Sequence, residues 1–250
     1  MTVAISAFSA AVAFGDVVSS DVVGYMAKET GNTGASAIGV SFRAVSGTMD
    51  IQDIKITGYE GDFGGQVNMQ TLDPFGYTAA TYYWVDLAAD PEDPDSEAFY
   101  GWYDENDELV TKTVAPGDGF WTSSDSEEYK VQSAGAVLTS ASVQLGATGS
   151  KMIANPYPTI INISDIAITG YEGDFGGQVN MQKLDPFGYT ESTYYWVDLS
   201  ADPEDPDSEA FYGWYDENDE LVNDTLVAGE GVWVASDSAD YSIVFPNLNL

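Results

Sequence analysis

The chain has 250 residues, with 41 acidic and seven basic side chains, no histidine and no cysteine, for a net charge of −34. Such a polyanion is repelled by phosphate backbones and anionic lipid surfaces, which disfavours nucleic-acid and peripheral-membrane partners. It also lacks the residues of thiol chemistry, disulfides, zinc–thiolate sites and the usual proton shuttle. With 44% hydrophobic and only 19% charged residues, it is nevertheless too apolar for a disordered acidic tail.

The sequence is a tandem duplication. Residues 51–110 return as 163–222 at an offset of 112, with six substitutions. Beyond that block Gly117, Gly119, Trp121, Asp125 and Tyr129 fall over Gly229, Gly231, Trp233, Asp237 and Tyr241. Upstream, Gly31-Asn32-Thr33-Gly34 matches Gly146-Ala147-Thr148-Gly149 after a gap of three residues. Two domains are expected, 22–136 and 137–250, each large enough to bury its own core. Residues 1–21 belong to neither copy. Their apolar, small and β-branched run reads either as a secretory signal-peptide remnant or as an extra donor strand seeking a groove, and it is too short for an ordinary membrane span.

In chain order, Val22-Val23-Gly24-Tyr25-Met26 and Ala37-Ile38-Gly39-Val40-Ser41-Phe42 are short β-rich runs bounded by turn residues. Residues 49–56 alternate apolar and polar side chains, which predicts one half-buried strand. Residues 59–65 form a glycine-rich loop, and Leu72-Asp73-Pro74-Phe75-Gly76 a proline turn. The strand 81–87 follows. Two prolines among the carboxylates of 89–97 rule out a helix or central strand there and leave a surface loop. Residues 99–103 return as a strand, 104–108 form an acidic turn, 115–119 another turn, and 120–122 and 129–131 are strands. No segment carries helical periodicity. The expected fold class is all-β: two tandem antiparallel β-sandwich-like domains plus the N-terminal apolar segment.

Two constellations carry chemistry. The first is acidic: Asp90, Glu92, Asp93, Asp95 and Glu97 in the loop and Asp104 and Asp107 in the turn, repeated as Asp202, Glu204, Asp205, Asp207, Glu209, Asp216 and Asp219. Calcium takes about six to eight oxygen ligands, and such a cluster supplies carboxylates enough if loop and turn share a rim, so calcium is the cofactor expected, if any. Neither run has the glycine of an EF-hand loop, and the alternative is a solvated acidic rim suited to saline surroundings. The second is aromatic: Tyr82, Tyr83, Trp84, Phe99, Tyr100, Trp102, Tyr103, Phe120 and Trp121, each with an aromatic counterpart 112 residues on except Phe120, which Val232 replaces. Alternate rings on a strand face opposite sides, so one set fills the core. An outward set, Tyr100 and Trp102 with Tyr212 and Trp214, would make a sugar-stacking platform beside carboxylates. Catalysis is not expected. Ser-His and Cys-His machinery is absent, and the carboxylate pairs a glycosidase would need, such as Asp62 with Asp104, occur in any acid-rich chain.

At the Val22-Val23-Gly24-Tyr25 start, the Ile153-to-Pro158 corner, the Tyr-Tyr-Trp-Val strand and the Pro116-to-Trp121 turn, the chain resembles a loose group of secreted tandem β-modules of verrucomicrobial and related bacteria. The resemblance implies secretion and a β fold and carries over no catalytic residue. Copy one departs from it, with Gly39-Val40-Ser41-Phe42 where copy two has the Asn-Pro corner.

The sequence is therefore expected to be a secreted, non-enzymatic structural protein at the cell surface or in the extracellular space. It would be the subunit of a filament or surface layer, its partner being itself as a homo-polymer built through β-strand contacts, a donor strand and calcium. The competing expectation is a tandem carbohydrate-binding module with a polysaccharide partner.

Overall fold

The computed structural model describes residues 22–30, 34–45, 47–58, 63, 67–93, 95–124, 129–145, 149–171, 175, 179–202, 204, 209–236 and 241–248. The N-terminal segment, with its signal-peptide and donor-strand readings, lies outside the described residues.

The first copy contains β1 (Val23–Thr30), β2 (Gly34–Gly39), β3 (Met49–Asp50), β4 (Lys55–Thr57), β5 (Val67–Leu72), β6 (Thr78–Leu87), β7 (Phe99–Tyr103), β8 (Thr113–Val114), β9 (Gly119–Ser124) and β10 (Tyr129–Ala136). The second contains β11 (Ser142–Leu145), β12 (Gly149–Ala154), β13 (Ile161–Asn162), β14 (Ala167–Thr169), β15 (Val179–Leu184), β16 (Thr190–Leu199), β17 (Phe211–Tyr215), β18 (Thr225–Leu226), β19 (Gly231–Ser236) and β20 (Tyr241–Val244). The chain is all-β, as the turn spacing and strand periods predict, and its ladders are antiparallel.

Each copy builds one five-stranded sheet, β2-β9-β5-β6-β7 or β12-β19-β15-β16-β17, and one three-stranded sheet, β1-β10-β4 or β11-β20-β14. The inward faces of both sheets meet in one apolar cluster per copy. Ile38, Val67, Met69, Trp84, Trp102 and Phe120 face Ile56, Tyr129 and Val131 in the first, and the second repeats the arrangement around Trp196 and Trp214. This is sandwich packing, in which alternate residues of each strand supply the core.

The expected single strand over 49–56 is broken. Asp50 accepts from the Gln52 amide at 3.0 Å while its own amide donates to Asp53 Oδ2 at 2.9 Å, a reciprocal cap that turns residues 51–53 into a 3-10 turn between β3 and β4. The second copy makes the same 3-10 turn at Ile163–Asp165 with no side-chain cap from Asn162, so the aspartate cap reinforces the turn in the first copy and is not what creates it. Strands β5 and β11 were not expected from the sequence.

The copies meet about a pseudo-two-fold axis. Gly39 donates to Gly229 O at 3.1 Å and the equivalent Ala154 donates to Gly117 O at 3.0 Å. The bridges Ile38 to Glu230 and Asp118 to Ile153 are likewise a related pair. Farther out, Ala35 donates to Pro186 O and Ser150 to Pro74 O, both at 2.8 Å. The approach leaves no room for a side chain at Gly39, where an added Cβ would stand 1.8 Å from the Ala154 Cβ. Contacts of this kind are isologous: the same patch serves both sides and the pair closes on itself.

Candidate functional site

The acidic segments are built turn by turn. In the loop, Asp90 Oδ1 accepts from the Glu92 amide at 2.9 Å, Asp93 Oδ1 accepts from Asp95 at 3.0 Å, and Ser96 Oγ accepts from the Asp90 amide at 2.8 Å. Asp202 repeats the first of these with Glu204 at 2.9 Å. Glu97 and Glu209 are exposed, and Asp205 and Asp207 lie outside the described residues. In the turn, Asp104 Oδ1 takes the amides of Asn106 and Glu108 at 2.9 and 3.1 Å, and Asp216 those of Asn218 and Glu220 at 2.9 and 3.0 Å. These amides hold both carboxyls below their ordinary range. Asp107 and Asp219, at φ 60° and 61°, close the turn in the left-handed region that Asp tolerates and accept the hydroxyls of Tyr83 and Tyr195. Desolvation and the carboxylate beside them push these two phenols up to about 12.

Among the described residues, no group of three or more carboxylates is placed to hold a metal ion. The reason is local. An aspartate that caps its own turn aims an oxygen at its own backbone, and a row of such turns disperses charge along the surface.

The aromatic platform is corrected more sharply. Trp102 and Trp214 are wholly buried, each donating its indole N–H to a backbone carbonyl, Ile54 O at 2.7 Å and Ile166 O at 2.8 Å. They pack edge-on against Trp84 and Trp196 at 5.4 and 5.5 Å and present no face to a ligand. Tyr100 and Tyr212, two residues earlier on the same strand face, reach the rim of the sandwich and are 52% and 62% exposed. The opposite face of β7 and β17 is covered: Phe63 packs on Phe99 at 4.8 Å and Phe175 on Phe211 at 4.8 Å.

The most exposed rings lie elsewhere, at positions the sequence reading took only as a turn. Phe75 and Tyr77, with Phe187 and Tyr189, are 73–82% exposed. Asp73 builds the first turn by accepting from the amides of Phe75 and Tyr77, both at 2.9 Å, and Asp185 does the same for Phe187 and Tyr189. Each turn is seated on the other copy, Gly76 against Trp233 and Gly188 against Trp121. A polar turn needs no aromatic on either side of its glycine, and that excess in Pro-Phe-Gly-Tyr was the signal available in the sequence.

The arrangement offers two equivalent aromatic turns related by the pseudo-two-fold, each capped by its own aspartate. Among the described residues no helix is long and apolar enough to cross a membrane. No protein-family model matches the chain, and no curated protein or solved structure matches it.

Proposed function

We propose that the chain is a secreted, non-enzymatic structural protein, a subunit of an extracellular filament or surface layer whose inter-subunit contacts are made by the aromatic turns at 73–77 and 185–189. The observation that carries this is the placement of four strongly exposed rings at two equivalent sites on one chain. Large rings held in water by a capped turn gain most when a partner covers them, and a unit with two such sites links partners into chains. The edges formed by β2 and β12 already close on each other, so growth of an assembly uses other surfaces. With a net charge of −34 the subunits repel, and salt or calcium lowers that barrier. The N-terminal segment adds a donor strand in this reading.

A second reading has its own support. The same charge opposes association of copies but leaves a neutral polysaccharide unopposed, and rings beside carboxylates suit sugar faces and hydroxyls. One experiment separates the two: negative-stain microscopy and sedimentation of the full chain in low salt, high salt and calcium, with retention on insoluble neutral polysaccharides measured in parallel. The comparator carries serine at Phe75, Tyr77, Phe187 and Tyr189. Polymers formed by the parent chain and lost in the variant are expected. Monomers under every condition would end the assembly reading, and ring-dependent retention on polysaccharide would replace it.

A further inference from the structure

A cavity of about 200 Å³ lies where the copies meet, between β5 and β9 of the first and β12 of the second. Lys112 and Lys151 line it together with Asp118, while Leu72, Phe120 and Met152 make its apolar wall. Two of the seven basic residues of a strongly acidic chain thus share one small space. Lys151 pairs with Asp118 at 3.0 Å. Lys112 meets no carboxylate among the described residues; its ammonium donates only to the Tyr82 hydroxyl at 3.4 Å and lies 5.3 Å from that ring's centre.

The second copy shows what the equivalent place takes when it is complete. At the offset of 112, Thr71 becomes Lys183, Lys112 becomes Asp224 and Asp118 becomes Glu230. There Lys183 reaches in to Asp224 at 2.9 Å and Glu230 at 3.4 Å, and the Tyr194 hydroxyl donates to Asp224 at 2.6 Å. Tyrosine and lysine hold a carboxylate between them. In the first copy the tyrosine remains, the lysine has moved to the other wall, the threonine leaves space, and the carboxylate is missing.

We infer that this cavity is a binding site for a small aliphatic monocarboxylate, its head group between Lys112 and Lys151 and its tail against Leu72, Phe120 and Met152. Two ammoniums against the one carboxylate of Asp118 leave one net positive charge, which a monoanion neutralises. The volume, that of roughly six or seven liquid waters, admits a chain of a few carbons. Charge-assisted hydrogen bonds to a partly desolvated ammonium are the strong kind, and they make the site selective for a carboxylate over chloride.

The test is titration of the full chain with sodium propionate, read by the side-chain NMR shifts of its lysines, against sodium chloride at matched ionic strength. Saturable shifts at Lys112 and Lys151 are expected by about 100 mM, where a millimolar site is full. Lys112→Gln weakens binding about tenfold or more. The double change Thr71→Lys with Lys112→Asp installs the second copy's ion pair, keeps the fold and abolishes the shifts. Absence of saturable shifts, equal shifts with chloride alone, or full binding by the double variant would each overturn the inference.

Discussion

The two copies share 54 of 60 residues over their central block, yet they are not finished alike, and the differences lie where the core is not. All six substitutions fall at partly or fully exposed positions in both copies, whereas both pairs of buried tryptophans and the apolar residues around them are unchanged. The division holds within the block only: beyond it buried core positions differ too, with Val114, Phe120 and Val131 answered by Leu226, Val232 and Ile243, swaps among apolar residues that a core accommodates by repacking. Within the block, Gln52 is the clearest case. In the first copy its amide closes the outer edge of β7, accepting from the Trp102 amide at 2.9 Å and donating to Trp102 O at 2.8 Å and Val110 O at 2.7 Å. Gly101, at φ 133°, makes room for it, since an added Cβ would stand 2.3 Å from its oxygen. In the second copy the exposed Ser164 stands at this position, and Trp214 has no such clamp. Lys55 is another: it lies 4.9 Å over the Tyr100 ring, and with Ala167 in its place Tyr212 is the more exposed ring.

The interface is the part of the comparison that can be broken outright. Gly39→Val forces a side chain into Ala154 and the Asp118 carbonyl. It should destabilise the chain by more than about 4 kcal/mol or split its unfolding into two transitions, one per copy. Calorimetry decides, and a single unshifted transition would show that the copies do not lean on each other there.

Exchanging the clamp sharpens the comparison. Gln52→Ser removes the partner of the Trp102 amide and of the Val110 carbonyl, while the Trp102 carbonyl keeps the Val110 amide, a loss of about 2–3 kcal/mol; Ser164→Gln should gain about 1 kcal/mol in the second copy. Urea denaturation of both variants reads the difference directly, and equal, negligible shifts would remove the role assigned to Gln52.

The smallest effect is a matter of pH. Lys28 on the inward side of β1 pairs with Val131, whereas its counterpart in the second copy is Val143, opposite Ile243. Its ammonium donates to Ala37 O at 2.9 Å, and burial pulls it down to about 8, Glu230 opposing and Lys183 assisting. A lysine whose pKa falls on folding binds fewer protons in the folded state, so stability rises as pH climbs from about 8 towards the unfolded value. Above about 10 the trend reverses, because phenols raised on folding, Tyr83, Tyr194 and Tyr195, ionise more readily in the unfolded chain. A gain of roughly 1–2 kcal/mol between pH 8 and 10 is expected, absent in Lys28→Val; a flat profile in the parent chain would contradict it.

Much of this was legible before any coordinates. Duplication is a fact of the residues themselves, and it dictates that one architecture occurs twice. The aromatic and β-branched runs 81–87 and 99–103, and proline and glycine at the turns, are local signals, so those strands and loops could be placed from the sequence. The missing histidine and cysteine close off whole classes of chemistry without reference to shape. Tertiary structure decided what depends on residues far apart in the chain. Tyr100 and Trp102 share a strand face, yet one ends at the rim and the other in the core, because depth along a sandwich is set by where the opposing sheet stops. A 3-10 turn shared by both copies interrupts the alternating pattern of 49–56, and aspartates of the acidic loop and turn accept amides of their own turns. Closure of the copies about a two-fold, with the aromatic turns seated across it and the open cavity lined by Lys112 and Lys151, exists only after both copies have folded, since each half of that surface is incomplete without the other.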